Sequence, residues 1–167
     1  MIDRYVTCMD TSATSGRLII LCGLPGSGKT TLAKTLERKL GALRMSADEW
    51  MDALGIDLYD EAARAKIEAL QWQVGQKLLT SGLTVIIEWG TWGRSERDAL
   101  RLGARAVGAA VELRYLPAAS AEELFDRIQR RGMENPPITR DAVLRWVDIF
   151  ETPTSEELAL FDEPLIS

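Results

Sequence analysis

Histidine is absent from this sequence of 167 residues, and cysteine occurs only twice. A Ser/His/Asp triad, a Cys/His pair and a histidine-bound zinc site all need the imidazole ring, so the sequence excludes these three kinds of site. Proton transfer must therefore fall to a carboxylate, a lysine or a tyrosine. Because Cys8 lies in the N-terminal stretch and Cys22 in an apolar run, a disulfide framework is not expected.

Long hydrophobic runs are also missing. The longest, such as residues 18–22 and 85–87, are far shorter than the roughly 20 residues that a membrane helix needs. The N-terminus lacks a basic region followed by an apolar one. We therefore expect a cytoplasmic protein without a membrane segment, and the net charge of -5 argues against nucleic acid as a partner.

The length and composition are those of one globular domain, with 46% hydrophobic and 27% charged residues. Residues 1–15 end in a Thr/Ser/Ala cluster without periodicity, which predicts a flexible tail ahead of a domain over 16–167. No internal repeat is visible. The sequence leaves the oligomeric state open.

Apolar runs of strand length alternate with helical patterns along the rest of the chain. The strand-like runs are RLIILCG, ALRMS, LTVIIE and AVELRYL. This alternation predicts an α/β fold with a parallel sheet that helices cover on both faces. A long helix is predicted within Tyr59–Thr80, with an apolar stripe at Ala63, Ile67, Leu70, Val74 and Leu78. Ser120 and Thr139 are predicted to cap two later helices.

The segment GLPGSGKT, Gly23 to Thr30, matches the phosphate-loop pattern G-x-x-x-x-G-K-[ST], between a strand and a helix. Its glycines allow backbone N–H groups to surround a phosphate, Lys29 can reach the β and γ phosphates, and the Thr30 hydroxyl can coordinate Mg²⁺. The predicted nucleotide-binding residues here are Gly23, Leu24, Pro25, Gly26, Ser27, Gly28, Lys29, Thr30 and Thr31.

With this motif and its context, residues 16–151 resemble the small P-loop kinases, a group of AAA-type ATP-binding proteins. It includes adenylate, shikimate and gluconate kinases, chloramphenicol phosphotransferase, zeta toxins and polynucleotide kinase. The resemblance implies a P-loop NTPase three-layer sandwich with about five parallel strands and a short lid over about residues 127–139. It also implies ATP as the nucleotide.

Two carboxylates follow strands beside the predicted phosphate loop. Asp48 resembles the acid that many of these kinases place after the second strand to accept the substrate proton; as an alternative, it caps the helix that begins at Glu49. Glu88 closes the third strand, where the second acid of a P-loop fold holds Mg²⁺. Its longer side chain can instead reach the acceptor, so both roles stay open.

Arg127, Arg130 and Arg131 share a helix face. The spacing resembles the start of the adenylate kinase lid, which implies that Arg127 contacts the nucleotide and that Arg131 stabilises the transferring phosphoryl group. The alternative is a solvated basic face paired with nearby acids.

A second arginine series and the tryptophans complete the candidate residues. Arg94 is a candidate for an anionic acceptor, whereas Arg97, Arg101 and Arg105 are predicted to be surface residues. Trp50, Trp89 and Trp92 flank the predicted site and are candidates for stacking on the acceptor, with core packing as the alternative. Trp72 lies off its helix's apolar stripe, so it is predicted to line the same pocket or to pack against a neighbouring helix.

The sequence therefore predicts an ATP- and Mg²⁺-dependent kinase that phosphorylates a hydroxyl of a small molecule such as an antibiotic, a sugar or a nucleoside. A toxin acting on a cell-wall sugar precursor is a special case of this prediction. The alternatives are a nucleic-acid 5′-hydroxyl kinase and an ATP-binding regulatory module without phosphotransfer.

Overall fold

The computed structural model describes residues 15–118, 120–132 and 137–166. Nearly all of the predicted tail, and residues 133–136 of the predicted lid, lie outside the described residues. The strands are β1 (Arg17–Cys22), β2 (Leu43–Met45), β3 (Thr84–Ile87) and β4 (Ala110–Tyr115). The helices are α1 (Lys29–Leu40), α2 (Ala47–Ala53), α3 (Glu61–Thr80), α4 (Arg94–Ala106), α5 (Ala121–Arg131), α6 (Arg140–Ile149) and α7 (Ser155–Leu158).

The four strands form one parallel sheet in the order β2-β3-β1-β4. Residues 18–22 of β1 are fully buried because strands flank β1 on both sides and helices cover both faces. Side chains of a strand alternate between faces, so Ile19 and Leu21 pack with α1, while Leu18 and Ile20 pack with α3 and α4. The α/β three-layer prediction is confirmed, and β1 places the phosphate loop at the centre of the sheet's carboxyl edge.

The prediction of about five strands is wrong by one for the described part of the chain. The C-terminal segment, residues 161–166, lies along the outer edge of β4 without forming a strand. The Asp162 backbone N–H donates to Val111 O at 2.8 Å, and the Asp162 carboxylate accepts from the Val111 N–H at 2.7 Å. Side-chain acceptors therefore replace much of the backbone ladder that a fifth strand would make.

Helix α3 begins at Glu61 and ends at Thr80, as predicted, but its buried face is rotated from the predicted stripe. Ile67, Gln71, Gly75 and Leu79 are buried, whereas Leu70 is 51% exposed. The absent side chain of Gly75 allows close approach to the sheet: a Cβ there would lie 3.6 Å from Val85 Cγ1. Sequence periodicity alone favours the stripe with more apolar residues, because it contains no information about the contact between Gly75 and the sheet.

The cap predictions for α5 and α6 are confirmed. Ser120 Oγ accepts from the Glu123 N–H at 3.1 Å, and Thr139 Oγ1 accepts from the Ala142 N–H at 3.2 Å. Within the described residues, no helix combines the length and the apolar character that crossing a membrane requires.

Candidate active site

The phosphate loop connects β1 to α1 and has the backbone conformation that its glycines permit. Gly26 has φ +83° and Gly28 has φ +99°, values that residues with a Cβ rarely adopt. Helix α1 begins at Lys29, so its free N-terminal N–H groups point toward this loop. The loop therefore has the local features of an anion site.

The loop is held against α5. Leu24 is buried together with Leu124, Ile128 and Val143. A Cβ on Gly26 would lie 3.1 Å from Leu124 O, so the loop backbone touches the helix directly. In the described part of the chain, the buried Ser27 Oγ has no hydrogen-bond partner. An oxygen of a bound phosphate would satisfy this donor, so the loop fits a nucleotide.

Lys29 folds back over its own loop. Its ammonium donates to Gly23 O at 2.7 Å and to Leu24 O at 3.0 Å. Burial lowers the pKa of Lys29 from 10.5 to about 8, although the negative charge of Glu88 opposes that shift. These carbonyl contacts hold the ammonium at the loop, and a phosphate oxygen is the stronger acceptor that would replace them.

Three predicted site residues act electrostatically on this ammonium. The charges of Glu88, Asp48 and Arg131 all act on the pKa of Lys29. Glu88 directly follows β3, Asp48 lies in the first turn of α2 just after β2, and Arg131 is the last residue of α5, so the residues are far apart in sequence. The structure therefore brings the predicted lysine, carboxylates and arginine into one site.

Glu88 is buried and paired. Its Oε2 accepts from Arg44 Nη1 at 2.5 Å, and each side chain is only 7% exposed. Arg44 also binds Glu49 and Glu37, so one guanidinium connects β3, α2 and α1. Although burial alone lowers it, hydrogen bonds to Glu88 and Glu49 raise the pKa of Arg44 overall. The sequence analysis missed Arg44, whose only signal was a charged residue in a short strand.

Asp48 lies in the first turn of α2 and is the more exposed carboxylate, with 66% of its side chain accessible. The N-cap position belongs to Ser46, so the alternative prediction that Asp48 caps α2 is wrong. Arg64 of α3 contacts Asp48 Oδ1 at 2.6 Å. An exposed carboxylate of this kind is accessible to a ligand.

Acidic side chains continue from Asp48 between α3 and α4. Burial raises the pKa of Glu68, and the carboxylates of Glu96 and Asp48 act in the same direction, against Arg64. Two further carboxylates and one guanidinium thus act on the Glu68 carboxylate.

The lid arginines lie on the exposed face of α5, and Leu124 and Ile128 are buried, as predicted. Arg127 Nη1 donates to Gly26 O at 3.4 Å and its guanidinium also binds Glu123. Arg127 therefore reaches the phosphate loop itself, while Arg131 acts on Lys29. Arg127 also has the acidic partner, Glu123, that the alternative of a solvated basic face predicts.

The three candidate tryptophans divide between two places. Trp50 and Trp89 are half-buried and both pack beside Met51 and Ile67, next to the helix that carries Asp48. Trp92 instead packs on α6, edge-to-face with Trp146 at 6.0 Å between ring centres. The structure therefore does not gather all three around one pocket.

Trp72 and the second arginine series have different surroundings. Trp72 packs against α4 at Gly103, which agrees with the alternative that it packs against a neighbouring helix. Arg94 is exposed and pairs with Asp98 at 3.5 Å. The surface prediction is wrong for Arg97, which is fully buried against Glu157. Charge spacing alone could not reveal a buried partner sixty residues away.

The site offers oxygen ligands of the kind that Mg²⁺ prefers. Thr30 carries an exposed hydroxyl, and the Glu88 carboxylate has a second oxygen besides the one bound to Arg44. Within the described residues, no group of three or more His, Cys, Asp or Glu side chains could hold a metal by itself. Such a sparse set suits Mg²⁺ carried by a nucleotide's phosphates.

Comparison with known proteins agrees with this geometry. A family model described as an AAA domain matches residues 18–153. A protein of Mycobacterium tuberculosis described as uncharacterized is 32% identical over 140 residues. That match covers 75% of this chain, and the chain spans only about 28% of that relative's length.

Two solved structures share the fold. A sugar kinase from Janibacter has a TM-score of 0.61 and 24% identity, covering 85% of this chain and 82% of its own. A chain of the Pnkp1/Rnl/Hen1 RNA repair complex has a TM-score of 0.69 and 23% identity, covering 92% of this chain and 48% of its own. At these identities the likeness establishes the P-loop kinase fold, as the sequence predicted.

Proposed function

This chain belongs to the AAA-domain family, and we propose that it is a kinase that transfers the γ-phosphoryl group of ATP to a hydroxyl group of a small molecule. The observation that carries the proposal is the phosphate loop at the carboxyl edge of the sheet, whose Ser27 Oγ has no hydrogen-bond partner in the described residues and whose Lys29 has a pKa on which the charges of Asp48, Glu88 and Arg131 act. A phosphate-binding lysine with an accessible carboxylate beside it is the arrangement that phosphoryl transfer to a hydroxyl needs.

The loop amides and Lys29 bind the β and γ phosphates. On binding, the Lys29 ammonium exchanges the carbonyls of Gly23 and Leu24 for phosphate oxygens, and Ser27 Oγ gains an acceptor. Arg131, at the end of α5, adds positive charge where the transferring group becomes more negative. The residues lower the barrier mainly by position and charge.

Asp48 orients or deprotonates the acceptor hydroxyl. Its carboxylate exchanges Arg64 for the hydroxyl, which its exposure allows. Thr30 and Glu88 would hold Mg²⁺, directly or through water, and the metal would neutralise phosphate charge. Arg44 keeps the buried Glu88 carboxylate in one orientation.

The acceptor side favours a small molecule over a nucleic acid. The carboxylates of Asp48 and Glu96 act there on that of Glu68, against Arg64, and these negative charges disfavour a polyanion. The structural likeness to a chain of an RNA repair complex is the observation that supports a nucleic-acid 5′-hydroxyl kinase as the second candidate. A regulatory module without phosphotransfer would make no use of Asp48.

The test is phosphate transfer from ATP, with Mg²⁺, to a panel of sugars, nucleosides, hydroxylated antibiotics and 5′-hydroxyl oligonucleotides, read by mass spectrometry. Lys29→Met is the blank for contaminating kinases. A gain of one phosphate on a small molecule supports the proposal, and a gain on oligonucleotides alone supports the second candidate. ATP binding without a product from any panel member counts against phosphotransfer.

A further inference from the structure

Arg97 is a fully buried charged residue in the first turns of α4. Its Nε lies 2.6 Å from Glu157 Oε1 and its Nη2 lies 2.9 Å from Glu157 Oε2, a two-pronged ion pair. Glu157, in α7, is 1% exposed. Removing two charges from water costs roughly several kcal/mol per ion. An apolar pair would therefore fill the same volume in the core at a lower cost in free energy.

The remaining donors of Arg97 reach the active-site frame. Its Nη1 donates to Thr91 O at 3.1 Å and to Trp92 O at 3.0 Å. The same nitrogen lies 3.8 Å from Cys22 Sγ, at the end of β1 directly before the phosphate loop. The guanidinium therefore joins the segment after Glu88 to the strand that carries the loop.

Two further contacts tie the same segment to the C-terminal part of the chain. The Glu151 N–H donates to Trp92 O at 3.0 Å, and the Arg94 N–H donates to Glu151 Oε2 at 2.7 Å. Thr91 Oγ1 also donates to Leu21 O at 3.3 Å. Residues 91–94 are thus fastened on one side to β1 and on the other to residues 151–157.

We propose that Arg97 is a positioning residue of the active site, which together with Glu157 fixes residues 91–94 against the end of β1 that carries the phosphate loop. A buried apolar side chain could fill the volume of Arg97, but it could not bond the two carbonyls and Cys22 at once. The C-terminal segment through Glu157 is therefore part of the active-site frame. The inference rests on the proposed kinase activity only for its kinetic consequence.

The test begins with loop position. Tryptophans are labelled with 5-fluorotryptophan, and the Trp92 fluorine resonance is assigned with Trp92→Phe. We compare Glu157→Gln, which removes the counter-charge, and Arg97→Lys, which keeps the charge but cannot make the same set of bonds. Arg101→Lys is the matched control, because Arg101 lies one turn further on α4 and bonds Asp98 instead.

The proposal predicts that Trp92 shifts or broadens in Glu157→Gln and in Arg97→Lys but not in Arg101→Lys. An unchanged Trp92 resonance in both, or an equal change in the control, overturns it. Should Glu157→Gln fail to fold, Glu157→Asp keeps the charge, shortens the side chain by one methylene and is judged by the same resonance. These spectra need no acceptor, so they decide the positioning role even if no phosphate transfer is found.

The kinetic arm uses the acceptor that the panel identifies. Displacement of residues 91–94 should lower kcat by about tenfold while KM for ATP changes little, because a residue that positions the active-site frame acts on alignment more than on ground-state binding. Equal losses of kcat in Arg101→Lys, measured below the unfolding temperature of each variant, would reduce Arg97 to a stabilising residue.

Discussion

Arg44 and Glu88 form a buried ion pair, with 2.5 Å between Nη1 and Oε2, across the pairing of β2 with β3. The pair holds the carboxylate of Glu88, the predicted Mg²⁺ ligand, in place in the absence of a ligand. Because Glu49 and Glu37 bind the same guanidinium, Arg44 contacts three carboxylates, one of which is the buried Glu88. Losing Arg44 would leave the buried Glu88 charge without its hydrogen-bonded partner.

We therefore expect Arg44→Met to lower the free energy of unfolding by about 3 kcal/mol, a typical cost of removing one member of a buried ion pair. Urea denaturation followed by circular dichroism measures this. Arg38→Met is the control, since Arg38 is exposed on α1. The double variant Arg44→Met/Glu88→Gln should recover part of the loss, and a double variant no more stable than Arg44→Met would contradict the account.

Asp48→Asn should abolish most turnover while leaving ATP binding intact. Asparagine keeps the shape but cannot accept a proton, so kcat should fall by about 10²- to 10⁴-fold. Steady-state kinetics with the identified acceptor and calorimetric titration with ATP separate the two effects. Asp52→Asn, an exposed change on the same helix, should alter neither. Parallel losses of turnover and ATP affinity would remove Asp48 from the catalytic role.

The lowered pKa of Lys29 makes ATP binding depend on pH. A bound phosphate favours the charged ammonium, so ATP raises the pKa from about 8 and binding takes up a proton above that value. The affinity should therefore be flat below pH 8 and fall up to about tenfold for each pH unit above it. Calorimetry between about pH 7 and 9.5 tests this, and Lys29→Met should bind weakly at every pH. A flat profile for the unmodified protein would refute it.

Without nucleotide, the same group affects stability in the opposite sense. The unfolded chain keeps the Lys29 proton up to a pKa of 10.5, whereas the folded chain releases it near 8. The unfolded state then binds more protons between these values, so the contribution of Lys29 to the free energy of unfolding rises with pH in that window. The difference between the unmodified protein and Lys29→Met across the window isolates this contribution.

Gly103→Ala should destabilise the contact between α3 and α4. A Cβ at this position would lie 2.7 Å from Trp72 Cζ2, and a rigid ring can only respond by moving the helix. Overpacking costs roughly 1–3 kcal/mol, against about 1 kcal/mol gained from replacing glycine inside a helix. Thermal unfolding should show a net loss. Gly103→Ala with Trp72→Phe, where the clashing atom is absent, should relieve it; no relief would place the clash elsewhere.

The sequence by itself determined the elements and the phosphate loop. Strand-length apolar runs alternating with helical patterns admit few arrangements other than a covered parallel sheet, and the loop pattern fixes local backbone geometry without help from distant residues. Asp48 and Glu88 were also predictable as neighbours, because strand ends of a parallel sheet share one edge. These inferences need only local conformation and chain connectivity.

Only the tertiary structure decided which charges are buried and what they bind. Arg97 and Arg101 look equivalent along α4, yet one is buried against Glu157 and the other bonds Asp98. The edge of β4 carries the C-terminal segment in place of a fifth strand. The close approach of Gly75 to the sheet determines which face of α3 is buried. A contact between residues far apart in sequence leaves no periodic trace, because burial depends on what the rest of the chain brings alongside.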